Sequence, residues 1–266
     1  KTDGTYLYVL KDKSNQIAII DTRDNRMKQT ATITVEDVSE IQEMYLDIER
    51  KQLIAVCDGY VGGKWNDDDY GYGQRANTTA VTYDISDREN PKEVGRVSQS
   101  GYYNSSRIAD GYLYLFSDYY VTLDGITAKN PKSYIPLVND NLIEETDICL
   151  PSISKADMYS IITSVSLENP NETAHSKALL ADGGNLYVSN DNIYFYENVW
   201  QYSGKDVTTI RKVSYESGKL TAGAQCKIDG YINDSFSIDE YDGYLRVVVT
   251  DGDTNSVYVL NQELKE

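Results

Sequence analysis

The sequence is poor in the residues that most enzyme chemistry requires. Its 266 residues include one histidine, His175, in "ETAHSKALL". A Ser or Cys nucleophile of the triad type needs an imidazole beside it, and nothing like a nucleophile elbow accompanies this histidine, which reads as a plain outer-strand residue. The same scarcity argues against histidine-ligated copper, iron or zinc. Cysteine is scarce too: Cys57, Cys149 and Cys226 are odd in number and far apart. They make neither a disulfide framework nor a zinc pattern, and leave at most one unassigned disulfide. Basic residues are outnumbered 25 to 42, for a formal charge of −17. Such a surface repels phosphate backbones and anionic lipid. Nucleic acid is therefore not an expected partner, while cations, basic proteins and neutral glycans remain. No apolar run approaches a membrane span, and the N-terminus has no signal-peptide pattern. The chain opens inside a motif, "KTDGTYLY", and is expected to be a mature or excised piece of something longer. A sustained helical period is also missing. The nearest segment, residues 35–49, places Met44, Leu46 and Ile48 in alternation and reads as strand.

What is plentiful is tyrosine, 24 residues against three phenylalanines. Tyrosine favours strands and tolerates half-wet positions, because the ring buries while the hydroxyl stays hydrated. This fits amphipathic sheet filler and also an aromatic binding surface. One phrase recurs: "DGYLYLFSD" at Asp110, "DGTYLYVL" at Asp3, "GGNLYVSND" at Gly183 and "YDGYLRVVVTD" at Tyr241. Each is a turn followed by a strand with large groups on both faces. Each sits in a longer cassette of successive strands, the fullest running from "EMYLDI" through "QLIAVCD" and "TTAVTYDISD" to "ENPKEVGRVSQ". The cassettes recur at roughly 50 to 70 residues, the size of propeller blades carrying loops. A blade stacks on its neighbours, so its middle strands are apolar on both faces. The expectation is one all-β domain over 1–266, a β-propeller of about five four-stranded antiparallel blades. The first blade should lack its inner strand and the last its outer one. Strands are predicted at 6–10, 53–57, 113–117, 186–189 and 245–250 as second strands of successive blades.

Two insertions and one turn carry the candidate sites. The segment 59–78 combines Tyr60, Trp65, Tyr70 and Tyr72 with glycines and the acids Asp67, Asp68 and Asp69. Long loops between strands often carry recognition, and Trp and Tyr are preferred contact residues, so these four are the candidate ligand contacts; a solvated excursion is the alternative. The segment 121–157, with Pro131 and Pro136, is expected to cover one end of the ring. In "DGDTNS", Asp251, Asp253 and Asn255 offer oxygens at alternating positions for calcium, yet Asp, Gly and Asn are also ordinary hairpin-turn residues. Neither this stretch nor "NDDDYGYG" has the glutamate an EF-hand needs at the twelfth loop position. Two facing carboxylates suffice for glycoside hydrolysis, but 42 acids make such pairs uninformative. The aspartate-box and arginine set of sialidase propellers is absent.

The phrases "KTDGTYLYVL", "VTYDISDRENPKEVGRV", "SGYYNSSRIADGYLYL", "NLYVSNDNIYFY", "TTIRKVSYESGKL" and "DSFSIDEYDGYLRVVVT" occur in this order along the chain. Together they resemble a family of secreted bacterial and archaeal proteins with a C-terminal β-propeller domain. The resemblance spans nearly the whole chain and implies an extracellular or cell-surface propeller, behind a signal or anchor, with no catalytic residues to transfer. Members continue with further strands past the position matching Leu264. The expected role is a non-catalytic module binding a protein or a cell-wall glycan at the bacterial surface. A carboxylate-dependent hydrolase and a structural spacer are the alternatives. No cofactor beyond calcium is expected, and no direct membrane insertion.

Overall fold

Three two-residue turns set the frame. Asp110 and Gly111 take φ of 50° and 78°, Ser217 and Gly218 take 48° and 79°, and Asp242 and Gly243 take 51° and 77°. Two consecutive positive φ values make the hairpin turn whose twist matches that of its flanking strands, and Gly in the second place adopts it without a Cβ penalty. The computed structural model describes residues 1–23, 27–60, 76–121, 126, 129–150, 156–181, 184–200 and 206–266. Among these the regular structure is strand, apart from three single 3-10 turns.

Five antiparallel sheets follow one another in chain order. The first holds β1 (Tyr6–Leu10), β2 (Gln16–Asp21) and β3 (Lys28–Thr34). The second is the meander β4 (Glu40–Asp47), β5 (Gln52–Tyr60), β6 (Ala76–Asp84) and β7 (Lys92–Ser100). The third starts with β8 (Tyr102–Ala109) and β9 (Tyr112–Tyr120). A long connection follows, with β10 (Leu137–Val138), β11 (Asn141–Leu142) and β12 (Ile148–Cys149), before β13 (Met158–Ser166) and β14 (Thr173–Ala181) complete it. The fourth is β15 (Asn185–Val188), β16 (Asn192–Trp200), β17 (Asp206–Glu216) and β18 (Lys219–Asp229). The fifth is β19 (Ile238–Tyr241), β20 (Tyr244–Asp251) and β21 (Thr254–Leu260). These are the blades that the repeat implies, with four-stranded meanders in the middle and three strands in each terminal sheet. One strand sits elsewhere than expected. Residues 186–188 form the first strand of the fourth sheet, not the second, and Ser189 lies just beyond it. The reason is the turn at 189–191: it folds "NLYV" back on "NIYFY", so two similar phrases compete and the longer, β16, takes the middle place.

The chain divides into two compact units, residues 1–148 with 159–179, and residues 149–158 with 180–266. In the first unit β5 is buried on both faces. Leu53, Ala55 and Cys57 join Tyr8, Ile17, Ile19 and Met44 in one core. Ile54 and Val56 join Leu113, Leu115, Val165 and Leu167 in another. The period-2 side-chain alternation of a strand thus feeds two cores at once, as a middle blade strand must. In the second unit Tyr194, Ile210, Val247, Val249 and Leu260 bury together between the fourth and fifth sheets.

Candidate functional site

Strand direction decides where connections emerge. In an antiparallel meander the link from second to third strand leaves the end at which the first strand starts. The two longest connections, 61–75 after β5 and 121–157 after β9, are both of this kind. They leave the second and third sheets beside two acids, Asp58 and Asp118, which close to the same pattern: Asp58-Gly59-Tyr60 and Asp118-Tyr119-Tyr120.

A polar layer ties the two sheets at this end. Asp58, Thr78 and Gln99 stand in one row across β5, β6 and β7. Asp58 Oδ1 accepts from Tyr103 N at 2.8 Å, and Thr78 Oγ1 donates to Gly101 O at 3.1 Å. Gln99 Nε2 donates to Ser117 Oγ at 2.7 Å, and Ser117 Oγ donates in turn to Ser100 O at 2.7 Å. One residue further on, Asn104 Nδ2 donates to Asp118 Oδ2 at 2.6 Å, while Ser160 Oγ donates to Asp118 Oδ1 at 3.1 Å. Burial pushes the Asp58 carboxyl up, against the Tyr103 and Gln42 hydrogen bonds. Burial raises Asp118 likewise, against those from Asn104 and Ser160. Tyrosines surround this layer. Tyr119 and Tyr159 are buried with ring centroids 6.3 Å apart. Tyr120 is 50% exposed, and Tyr134 ends the 3-10 turn Pro131–Ser133. Half-wet aromatic rings beside carboxylates can stack on a ligand and accept its hydrogen bonds.

The second unit repeats the polar layer without its acids. Asn198 holds the place of Asp58: its Oδ1 accepts from Ile232 N at 3.1 Å and from Thr208 Oγ1 at 2.9 Å, and its Nδ2 donates to Ile232 O at 2.8 Å. Thr208 Oγ1 also lies 2.7 Å from Gly230 O, as Thr78 approaches Gly101.

The insertion 121–157 takes a different course from the one expected. Its described part 129–149 runs along outer strand edges. Val138 pairs with Gln99 of β7, Asn139 N donates to Ser98 O at 2.9 Å, and Ser98 N donates to Asn139 Oδ1 at 2.9 Å. β12 then lies on β14. Outer edges carry backbone groups that the sheet leaves unpaired and that another strand can take up, and the insertion does so here. Asp147 anchors it: Lys177 Nζ donates to Asp147 Oδ1 at 2.9 Å, and His175 Nε2 is 3.3 Å from the same oxygen.

Of the residues singled out from sequence, Trp65, Tyr70 and Tyr72 lie outside the described residues, as do Asp67, Asp68 and Asp69. Tyr60 is the last residue of β5, opposite Ala76. Asp251 ends β20, and Gly252, with φ of 57°, and Asp253 form the turn into β21. Asn255 Oδ1 accepts from Thr250 Oγ1 at 2.8 Å, and Thr254 Oγ1 donates to Asp251 O at 2.9 Å. Among the described residues no three His, Cys, Asp or Glu side chains group to hold a metal ion. None of the three cysteines is joined in a disulfide. Burial pushes Cys57 up to about 12 and Cys226 to about 11, so neither is a nucleophile at neutral pH. Sequence reasoning missed Asp58, Asp118, Asn104 and Tyr120. The signal was there in the shared ending of β5 and β9, an acid with an aromatic within two residues.

A family model described as a beta propeller domain matches residues 1–266. An uncharacterised protein of Methanocaldococcus jannaschii is 33% identical over 84 residues, 29% of this chain and 13% of that protein. An uncharacterised protein of Archaeoglobus fulgidus is 33% identical over 92 residues, 34% of this chain and 14% of that protein. The matched stretches thus span a small fraction of these relatives' length. Among solved structures, hydrazine synthase of Kuenenia stuttgartiensis covers 98% of this chain and 70% of its own, at 11% identity and a TM-score of 0.39. A functionally unknown protein of Desulfotomaculum acetoxidans covers 100% and 81%, at 12% identity and a TM-score of 0.26.

Proposed function

As a member of the beta propeller domain family, this chain is, we propose, a non-catalytic binding module that meets a protein or a cell-wall glycan outside the cell. The observation that carries the reading is the convergence at one end of the first unit: both long connections leave there, beside half-buried carboxylates and the exposed Tyr120. Trp65, Tyr70 and Tyr72 belong to the first of these connections, and together with Tyr60, which precedes it, supply its contact surface in this reading. A glycan array and a pull-down from cell envelopes test it. A retained target should bind more weakly by about 2 kcal/mol or more in Trp65→Ala or Tyr120→Ala, as at an aromatic hot spot, with the melting temperature unchanged. Two blank screens would leave a spacer role instead.

A second reading has its own observation. Asp58 and Asp118 are two carboxylates at one end, both raised by burial, as a general acid requires. Under it the chain is a hydrolase. Turnover on a glycan or peptide panel that Asp118→Asn abolishes would replace the binding module.

A further inference from the structure

The opposite end of the first unit holds a cavity of about 440 Å³. The turn between β4 and β5 brings Arg50 to it, and β5 brings Gln52. Asp84 and Ser86 come from the end of β6, and the turn between β13 and β14 brings Glu168, Pro170 and Glu172. Two contacts fix that last turn against the second sheet. Asn171 Nδ2 donates to Val94 O at 2.8 Å. Pro170 packs so closely on Gly95 that a Cβ there would stand 2.5 Å from Pro170 Cβ. The wall therefore depends on a glycine in a strand, a residue that marks close approach. The volume falls within the range of roughly 300 to 1,000 Å³ found for small-molecule sites. Only Val94 and Pro170 are apolar among the lining residues, which gives a hydrophobic ligand little to bury against.

Charge decides the ligand class. Asp84, Glu168 and Glu172 line the cavity with a single cation, Arg50. That cation is already engaged, with Nη1 2.9 Å from Asp47 Oδ2 and Nη2 3.7 Å from Glu168 Oε1. Among the described residues neither Asp84 nor Glu172 joins an ion pair. Hydrogen bonds from the Ser86 backbone and side chain hold the Asp84 carboxyl below its usual range, so it is ionised at neutral pH. Gln52 lines the same cavity, and its Oε1 is buried without a hydrogen-bond partner among the described residues. A metal ion does not match this lining, because no three acids group closely enough to share one. Carboxylates on separate walls of a polar space suit an organic cation that brings its own N–H donors.

We infer that this cavity binds an organic cation bearing several ammonium or guanidinium groups, either a free polyamine or the basic side chains of a peptide. The site is independent of the insertion end, so either assignment can fail without the other. Titration calorimetry of the full chain with spermidine, tri-lysine, glucose and calcium chloride at low salt tests it. At least one amine should bind saturably at one site. Glu172→Gln should weaken that binding about fivefold, adding Asp84→Asn should weaken it further, and Asp253→Asn, an acid outside the lining, should leave it unchanged. Binding of tri-lysine alone assigns the peptide source, and of spermidine alone the free polyamine. Glu172 is an exposed turn residue, so an unchanged melting curve for Glu172→Gln separates lost binding from lost fold. The inference is overturned by an absence of saturable amine binding, by equal weakening in Asp253→Asn, or by glucose or calcium binding that the Glu172→Gln variant loses.

Discussion

Gly101 and Gly230 occupy the same place in their two units. Each lies between the last strand of one sheet and the first of the next, with φ of 96° and 97°. Each N–H donates across the sheet at 2.8 Å, to Ala76 O and Asp206 O, and a threonine Oγ1 lies against each carbonyl, at 3.1 Å and 2.7 Å. Two constraints therefore fall on one residue. The backbone region is one that L residues rarely enter, and a Cβ at Gly101 would stand 2.6 Å from Asp118 O. At Gly230 it would stand 2.9 Å from Val249 Cγ2 and 3.0 Å from Thr250 O. Gly243 has a similar φ of 77°, yet a Cβ there meets nothing nearer than Gln262 Nε2 at 3.7 Å. Strain alone costs about 1 kcal/mol, whereas strain plus a backbone clash costs about 3 kcal/mol. Urea denaturation should therefore rank the alanine variants Gly101 worst, Gly230 next and Gly243 mildest. Equal losses at all three would show that φ, not the close approach, sets the cost.

The 129–149 segment is an element whose order comes from what it leans on. It has no core of its own: β10, β11 and β12 are two residues each. It is held by the outer edges of β7 and β14 and by Asp147, whose carboxylate meets His175 and the buried Lys177. Burial pushes the Asp147 carboxyl up, but the Lys177 and His175 interactions outweigh it and the net shift is down. A carboxyl lowered in the folded state contributes stability that is present above the unfolded value of about 3.9 and lost as pH falls through the folded value. Asp147→Ala should cost about 2 kcal/mol at pH 7, because it strands the Lys177 ammonium. The gap to wild type should close as pH falls below about 4. Hydrogen exchange should speed up at Ile148 and Cys149 first. Unchanged exchange there would show that edge pairing alone holds the segment. The outer-strand place of His175 is legible in the sequence, since "ETAHSKALL" has strand character. Its partner is not, because Asp147 is nearly thirty positions away in a segment without periodicity. The same limit hid Asp58 and Asp118. Strand period locates them at strand ends, but their partners Tyr103, Asn104 and Ser160 belong to other strands, and contacts between strands leave no local pattern.

For the molecule as a whole, repeat and alternation were enough to reveal five sheets, because every middle strand must be apolar on both faces and each phrase opens on turn residues. The same alternation exposes where burial stops. In the fifth sheet Leu245, Val247 and Val249 point into a core, while Tyr244, Val248, Val257 and Val259 on the other face are exposed, Val257 by 65%. Val248 and Val257 stand directly opposite each other in register, and Arg246 opposite Val259. Among the described residues β21 pairs with β20 alone, and its outer edge lies next to an apolar stripe. That combination is the arrangement by which sheets add to sheets. The formal charge of −17 opposes association at low salt, since like-charged chains repel over a Debye length of about 30 Å at 0.01 M and only about 8 Å at 0.15 M. Self-association of this chain should therefore rise with added salt, against the usual behaviour of charge-paired dimers. Val257→Lys should suppress it by placing an ammonium in the stripe, without unfolding the sheet, because position 257 faces water. Sedimentation velocity across a salt series reads this directly. An association that weakens with salt, or one that Val257→Lys leaves intact, would show that charge pairing or a different surface brings the chains together.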